Sequence, residues 1–206
     1  MAENTTRVIL VRHGQTEWNV QLKYQGHSEV PLTAIGIEQA KLAAVRLSRE
    51  PVAAIYSSDL GRAAATAQYI AAEHQLQVQQ LRALREFYFG NWEGLRFQEV
   101  SERWPQQSLE FFQHPESARV SGGETFAEVQ ARAVAAVKQL VAQHENKTIL
   151  VVSHGGTIRT LLCAALGLPL ERVWAIRQDN TAVNVIEYYP DTTMVALVND
   201  IHHLQG

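Results

Sequence analysis

The chain has a single cysteine, Cys163, so no intrachain disulfide can form; that count fits a reducing compartment. It also lacks any apolar run long enough to cross a bilayer. The first apolar stretch stops at Val11 and has neither the basic flank nor the length of a signal peptide. A cytoplasmic protein is expected, with no membrane partner. Positive charge is scarce as well: 18 Lys and Arg against 21 Asp and Glu give a formal net charge of −3. That balance argues against a nucleic-acid partner or an anionic membrane surface. Any anion site must then be a local gathering of cations, which makes the position of each arginine informative. Repeats, low-complexity tracts and linkers are absent too, so the 206 residues are expected to form one domain.

What is present alternates between two periods. Thr6–Arg12 reads as a buried strand, and 33–49 as a helix with Thr33 as N-cap and Ile37, Ala40, Ala44 and Leu47 on one face. A second apolar run, 52–56, ends in Ser57-Ser58-Asp59, and an alanine-rich helix follows from Leu60 to about Glu73. Farther on, 125–143 is an amphipathic helix and 148–152 a third strand, ending in Ser153-His154-Gly155-Gly156. The next helix is expected from about Thr157 to Leu166, closed by Gly167, and two last strands at 182–189 and 194–198. The alternation predicts an α/β fold: a three-layer α/β/α sandwich with a mostly parallel central sheet. Ligands of such sheets bind at the carboxyl ends of the strands. Three strands here end in His13, Ser57-Ser58 and His154, so these polar clusters are expected to converge.

The segment 87–123 breaks the rhythm. It holds Phe87, Tyr88, Phe89, Trp92, Phe97, Trp104, Phe111 and Phe112, half of the chain's Phe, Trp and Tyr. It is expected to be a partly helical lid insertion over the sheet edge, serving as a pocket wall or as a small satellite core. Its charged residues are three arginines and five glutamates, so the lid is net acidic.

A lone histidine after a strand is more often structural than catalytic. At His13 the neighbours change that reading. Arg12 offers a planar, permanently charged fork for phosphate oxygens, Gly14 allows close backbone approach to a ligand, and Thr16 and Asn19 add polar groups one turn later. Ser153-His154-Gly155-Gly156 repeats strand, histidine, glycine and helix start, and the helix would aim free N–H groups at the same edge. Arg62 supplies a third cation, unless it is spent on a surface ion pair with Asp59.

These residues together resemble the histidine phosphatase superfamily, the phosphoglycerate mutase-like family. The opening signature lies at Leu10–Asn19, and supporting matches follow at 24–26, 31–33, 57–63, 84–86, 92–94, 122–124 and 152–156. The resemblance implies His13 as nucleophile, Arg12, Arg62 and His154 as the pocket for the phosphoryl oxygens, and Glu86 as proton donor to the leaving group. It also implies Asn19, Gln25 and Gly155 as further contacts to phosphate or substrate. His13 must be neutral to attack, which flanking Arg12 and Arg62 favour. Glu86 must hold a proton, for which its aromatic neighbours could supply desolvation, unless it is only a surface carboxylate paired with Arg85. The mechanism implies no metal and no cofactor; His202-His203 reads as a solvated tail.

The expected partner is a small phosphate ester, and oligomeric state is left open between a monomer and a homodimer. Water as second acceptor makes the protein a phosphatase; a retained hydroxyl makes it a bisphosphoglycerate-dependent mutase. The acidic, aromatic lid favours hydrolysis, and the run 87–94 also resembles broad-specificity and alpha-ribazole phosphatases. A binding module without catalysis is the alternative of another class.

Overall fold

The structure, a computed structural model, describes residues 4–205. Six strands of these residues form one sheet: β1 (Thr6–Arg12), β2 (Val52–Ser57), β3 (Val78–Gln80), β4 (Thr148–Ser153), β5 (Val183–Tyr188) and β6 (Thr193–Asp200). Their order is β3-β2-β4-β1-β5-β6. The first four run parallel, whereas β5 pairs antiparallel with both β1 and β6. A short turn joins β5 to β6, so no crossover helix is needed between them.

Among the described residues seven α-helices connect and cover the strands: α1 (Glu17–Val20), α2 (Ala34–Leu47), α3 (Gly61–His74), α4 (Phe97–Arg103), α5 (Pro105–Gln113), α6 (Phe126–Gln143) and α7 (Gly155–Leu166). The central strands β1 and β4 are buried on both faces, so their hydrophobic runs are continuous and divide by parity. Ile9, Val11, Leu150 and Val152 face α2 and α3, whose alanines let the helices lie close to the sheet. Val8, Leu10, Ile149 and Val151 face the other way, toward α6 and α7. This is the expected three-layer sandwich. No described helix is long and apolar enough to cross a membrane.

Most of the aromatic segment does not form a pocket wall, nor a satellite core. Phe87, Trp92 and Phe111 are fully buried and continuous with Phe126 of α6 and the sheet residues Leu10 and Val151. Phe111 alone meets seven other rings, among them Trp174 at 5.3 Å. The insertion therefore completes the core above one sheet face, and α4 and α5 are its outer cover. Its glutamates are used locally: Glu99 accepts from the Arg96 N–H, and Glu102 and Glu110 accept from Gln98 and Gln106. The C-terminal turn is docked rather than solvated, with His203 Nε2 3.1 Å from Thr181 Oγ1.

Candidate active site

β1 and β4 lie side by side in register, Arg12 opposite Ser153, so the next residue of each strand emerges at the same sheet end. Those residues are His13 and His154, whose rings lie 5.2 Å apart. His13 is tied to both neighbouring strands. Its N–H donates to the Ser153 carbonyl (3.0 Å), and its carbonyl accepts from Thr181 N–H and Asn180 Nδ2. Its Nδ1 lies 2.7 Å from the Gly14 carbonyl. A carbonyl only accepts, so Nδ1 carries the hydrogen and Nε2 keeps its lone pair. Burial, with Arg62 and Arg12 adding, holds the His13 imidazole well below its ordinary pKa, and His154 is shifted the same way by the same causes. Both rings are therefore neutral at pH 7.

Arg12 and Arg62 line the same cavity and are anchored on different segments. Arg12 Nη1 donates to the Gln178 carbonyl at 2.7 Å. Arg62 is 1% exposed and donates to the carbonyls of Gly26 (2.7 Å) and Ser28 (2.9 Å). Burial pushes both down to about 10, with Arg159 contributing at Arg12, which leaves each fully charged at neutral pH. The alternative of an Arg62–Asp59 pair fails: Asp59 is held by Arg85 through two bonds of 2.7 Å. The same pair disposes of a Glu86–Arg85 bridge.

Glu86 instead sits at the N-terminus of α7. Its Oε1 accepts from the N–H groups of Phe87 (2.8 Å) and Thr157 (3.1 Å), and Oε2 accepts from Gly156 (3.0 Å). The carboxyl thus meets backbone donors rather than the aromatic rings expected around it. A Cβ on Gly156 would lie 2.5 Å from Oε1, so glycine is required for this contact. This helix starts two residues earlier than its sequence suggests, with His154 as N-cap.

Asn19 and Gln25 are oriented by their oxygens. Asn19 Oδ1 accepts from Thr16 N–H, and Gln25 Oε1 accepts from Thr16 Oγ1 (2.9 Å), which leaves both amide nitrogens for another partner. Among the described residues, Nε of Arg12, Nε of Arg62, Nε2 of Gln25 and both ring nitrogens of His154 are buried without a hydrogen-bond partner. Native proteins seldom leave so many buried polar atoms in one place unless a ligand meets them. Neutral imidazoles, charged guanidiniums and amide N–H groups together suit an oxyanion.

Arg12, His13, Asn19, Gln25, Arg62 and Glu86 line one cavity of about 150 Å³. Lys23, Tyr24, Gly26 and Phe89 complete it, and of these only Phe89 belongs to the aromatic segment. Lys23 and Tyr24 directly precede Gln25 in the sequence, which is the available sign of them. Larger hollows exist, one of about 460 Å³ beside Thr6 and Tyr188, but it lies at the amino end of β1, far from this chemistry. Gly155 is adjacent to the cavity, where a Cβ would stand 3.4 Å from Arg12 Nε. Two expectations fail here. Gly14 is packed on α2, its would-be Cβ 2.4 Å from the Gly36 carbonyl, rather than opened to a ligand. Ser57 and Ser58 bond to their own backbone neighbourhood and do not line the cavity.

The surroundings hold residues with no evident sequence role. Glu93 accepts from His27 N–H, Ser28 N–H and Ser28 Oγ, fixing the loop whose carbonyls hold Arg62. Arg132 of α6 grips the segment that carries Glu86. Among the described residues no group of three or more His, Cys, Asp or Glu side chains is placed to hold a metal ion.

The sequence model of the histidine phosphatase superfamily (branch 1) matches residues 8–201. Phosphoserine phosphatase 1 of Hydrogenobacter thermophilus is 35% identical over 96% of this chain and 94% of its own length. Among solved structures, YhfR of Bacillus stearothermophilus is 36% identical with a TM-score of 0.92, covering 97% of this chain and 99% of its own. A mutant phosphoserine phosphatase of Entamoeba histolytica, solved in complex with phosphoserine, is 32% identical with a TM-score of 0.89, over 97% and 99% of the two chains. By sequence, fold and extent of match alike, this protein belongs to branch 1 of the histidine phosphatase superfamily.

Proposed function

We propose that the protein hydrolyses small phosphate monoesters by passing the phosphoryl group through His13. The chain is a small-molecule phosphatase of its family. The observation that carries the assignment to His13 is its tautomer: Nδ1 is bound to the Gly14 carbonyl, so Nε2 presents a lone pair between two guanidinium groups. In the first step Nε2 forms a bond to phosphorus while the ester P–O bond breaks. Charge spreading over the phosphoryl oxygens meets Arg12, Arg62, Gln25 and His154, whose donors are already oriented before the ester arrives. The departing oxygen takes a proton from Glu86. Oε1 already accepts two N–H groups and Oε2 only one, so Oε2 is the oxygen with room for that proton. In the second step water attacks phosphorus, its proton returns to Glu86, and the P–N bond breaks to release phosphate and restore Nε2.

Hydrolysis rather than mutase transfer is supported by the cavity. A mutase must hold a second phosphate, yet beyond Arg12 and Arg62 the wall offers one cation, Lys23. That single ammonium and the small volume favour an ester with a carboxylate on a short organic part, as in phosphoserine, over the bulkier alpha-ribazole phosphate. Relatives named phosphoserine phosphatase point the same way.

Trapping the intermediate tests this reading. Labelled phosphate ester is expected to leave an acid-labile, alkali-stable label on the protein. His13→Ala should abolish the label and lower kcat/KM about a thousandfold or more, while a chelator leaves wild-type turnover unchanged. Turnover retained in His13→Ala removes the nucleophile assignment; phosphoglycerate isomerisation faster than ester hydrolysis removes the phosphatase one.

A further inference from the structure

Arg132 does not itself line the cavity, yet all five N–H donors of its guanidinium are engaged. Nη1 donates to the carbonyls of Ala83 (2.8 Å) and Arg85 (2.7 Å), and Nη2 to that of Glu86 (2.8 Å). Nε and Nη2 also donate to the two oxygens of Glu124, at 2.9 and 3.0 Å. Glu124 in turn accepts from the Tyr88 N–H at 2.9 Å. Three carbonyls from four consecutive residues converge on one cation, and the pair anchors the segment on both sides of Glu86. Converging carbonyl dipoles repel one another unless a cation lies between them, so this turn depends on the guanidinium. On the far side His27 Nε2 lies 2.9 Å from the Glu86 carbonyl, and Thr157 Oγ1 donates to that of Arg85.

We infer that Arg132, oriented by Glu124, is a positioning residue that fixes Glu86 for proton transfer. The inference rests on the reading of Glu86 as the proton donor. Arg132 acts on the main chain: by holding the carbonyls of residues 83, 85 and 86 it sets where the Glu86 side chain starts. The N-terminus of α7 then fixes where its carboxyl ends. Lysine cannot replace it, because one ammonium lacks the planar fork that reaches three carbonyls and a carboxylate together.

Leaving-group dependence separates this role from general support of the fold. An acidic phenol departs without help, whereas a simple alkoxide needs the proton. The measurement is therefore the ratio of kcat/KM for n-propyl phosphate to that for p-nitrophenyl phosphate, in wild type, Glu86→Gln, Arg132→Lys and Arg132→Met. The ratio does not depend on the fraction of folded enzyme, so partial unfolding of a variant cannot mimic the result. Glu86→Gln should lower the ratio by about a hundredfold. Both Arg132 variants should lower it by about tenfold or more, since displacements of about 1 Å are felt on that scale. If Glu86→Gln lowers the ratio while both Arg132 variants keep the wild-type value, Arg132 is structural only and the inference falls. If Glu86→Gln itself keeps the wild-type ratio, the proton-donor reading falls and this inference with it.

Discussion

An imidazole buried near two guanidinium groups stays neutral, because lost hydration and the neighbouring positive charge both penalise its protonated form. His13 and His154 both meet that condition, and the consequence is measurable without any substrate. Their folded pKa values are depressed below 6.5, so between 6.5 and the folded value the unfolded chain binds protons that the native one refuses. Stability is then full above 6.5 and is lost as the pH falls toward the folded values, by up to about 1.4 kcal/mol per pH unit for each histidine. Urea unfolding at pH 7 and pH 5.5 should show this loss in the wild type, and a much smaller one in the His13→Asn/His154→Asn double variant. An equal loss in both would mean that other groups control the acid limb. At this scale the sequence displayed the residue types but not their partners. That Arg62 brings a cation to the same cavity as His13 was legible; that carbonyls at 26 and 28 would hold it was not, because nothing local to position 62 announces a loop 34 residues away. Arg132 was hidden for a similar reason, as one charged residue beside the apolar stripe of α6.

The elements meet at close backbone contacts that leave no room for a side chain. The loop after β1 lies against the start of α2, where a Cβ on Gly36 would stand 2.1 Å from the Gln15 carbonyl. Backbone on that side cannot rotate away as a flexible side chain would. Gly36→Ala is accordingly expected to cost about 1–3 kcal/mol, read as a lower midpoint in thermal unfolding, and to lower kcat because Gln15 is two residues from His13. An unchanged midpoint would show that α2 shifts freely on the loop. Long periodic elements were legible to within about two residues: the helix expected at 33–49 is Ala34–Leu47, its N-cap Thr33 accepting from the Gly36 N–H. β3 and α1 were missed because three and four residues are too few to show a period. The early start of α7 was missed because Gly155-Gly156 has poor helix propensity; its first N–H groups are used to bind Glu86 instead.

At the scale of the whole molecule, the two cores, the sheet and the site share one boundary, since His13 and His154 are extensions of central strands. An oxyanion seated there should stabilise the entire fold and not a loop alone. Vanadate or inorganic phosphate at a hundred times its Kd is expected to add about 2.7 kcal/mol, about 5–11 °C in Tm for a chain of this size. The Arg62→Gln variant should show a much smaller shift, and an equal shift would place the anion elsewhere. The sandwich was legible because hydrophobic runs alternate with amphipathic helices. The direction of β5 was not, since a strand buried on one side of β1 reads alike whichever way it runs. One further consequence belongs to the buried donors of Arg12, Arg62 and His154. Groups desolvated and left without protein partners oppose folding, and apolar replacements of similar volume relieve that opposition. A lineage bred only for heat resistance would therefore discard this cavity before any other part of the core. Its descendants would be sturdier proteins of the same shape, blind to phosphate, with their fossil history written in the missing arginines.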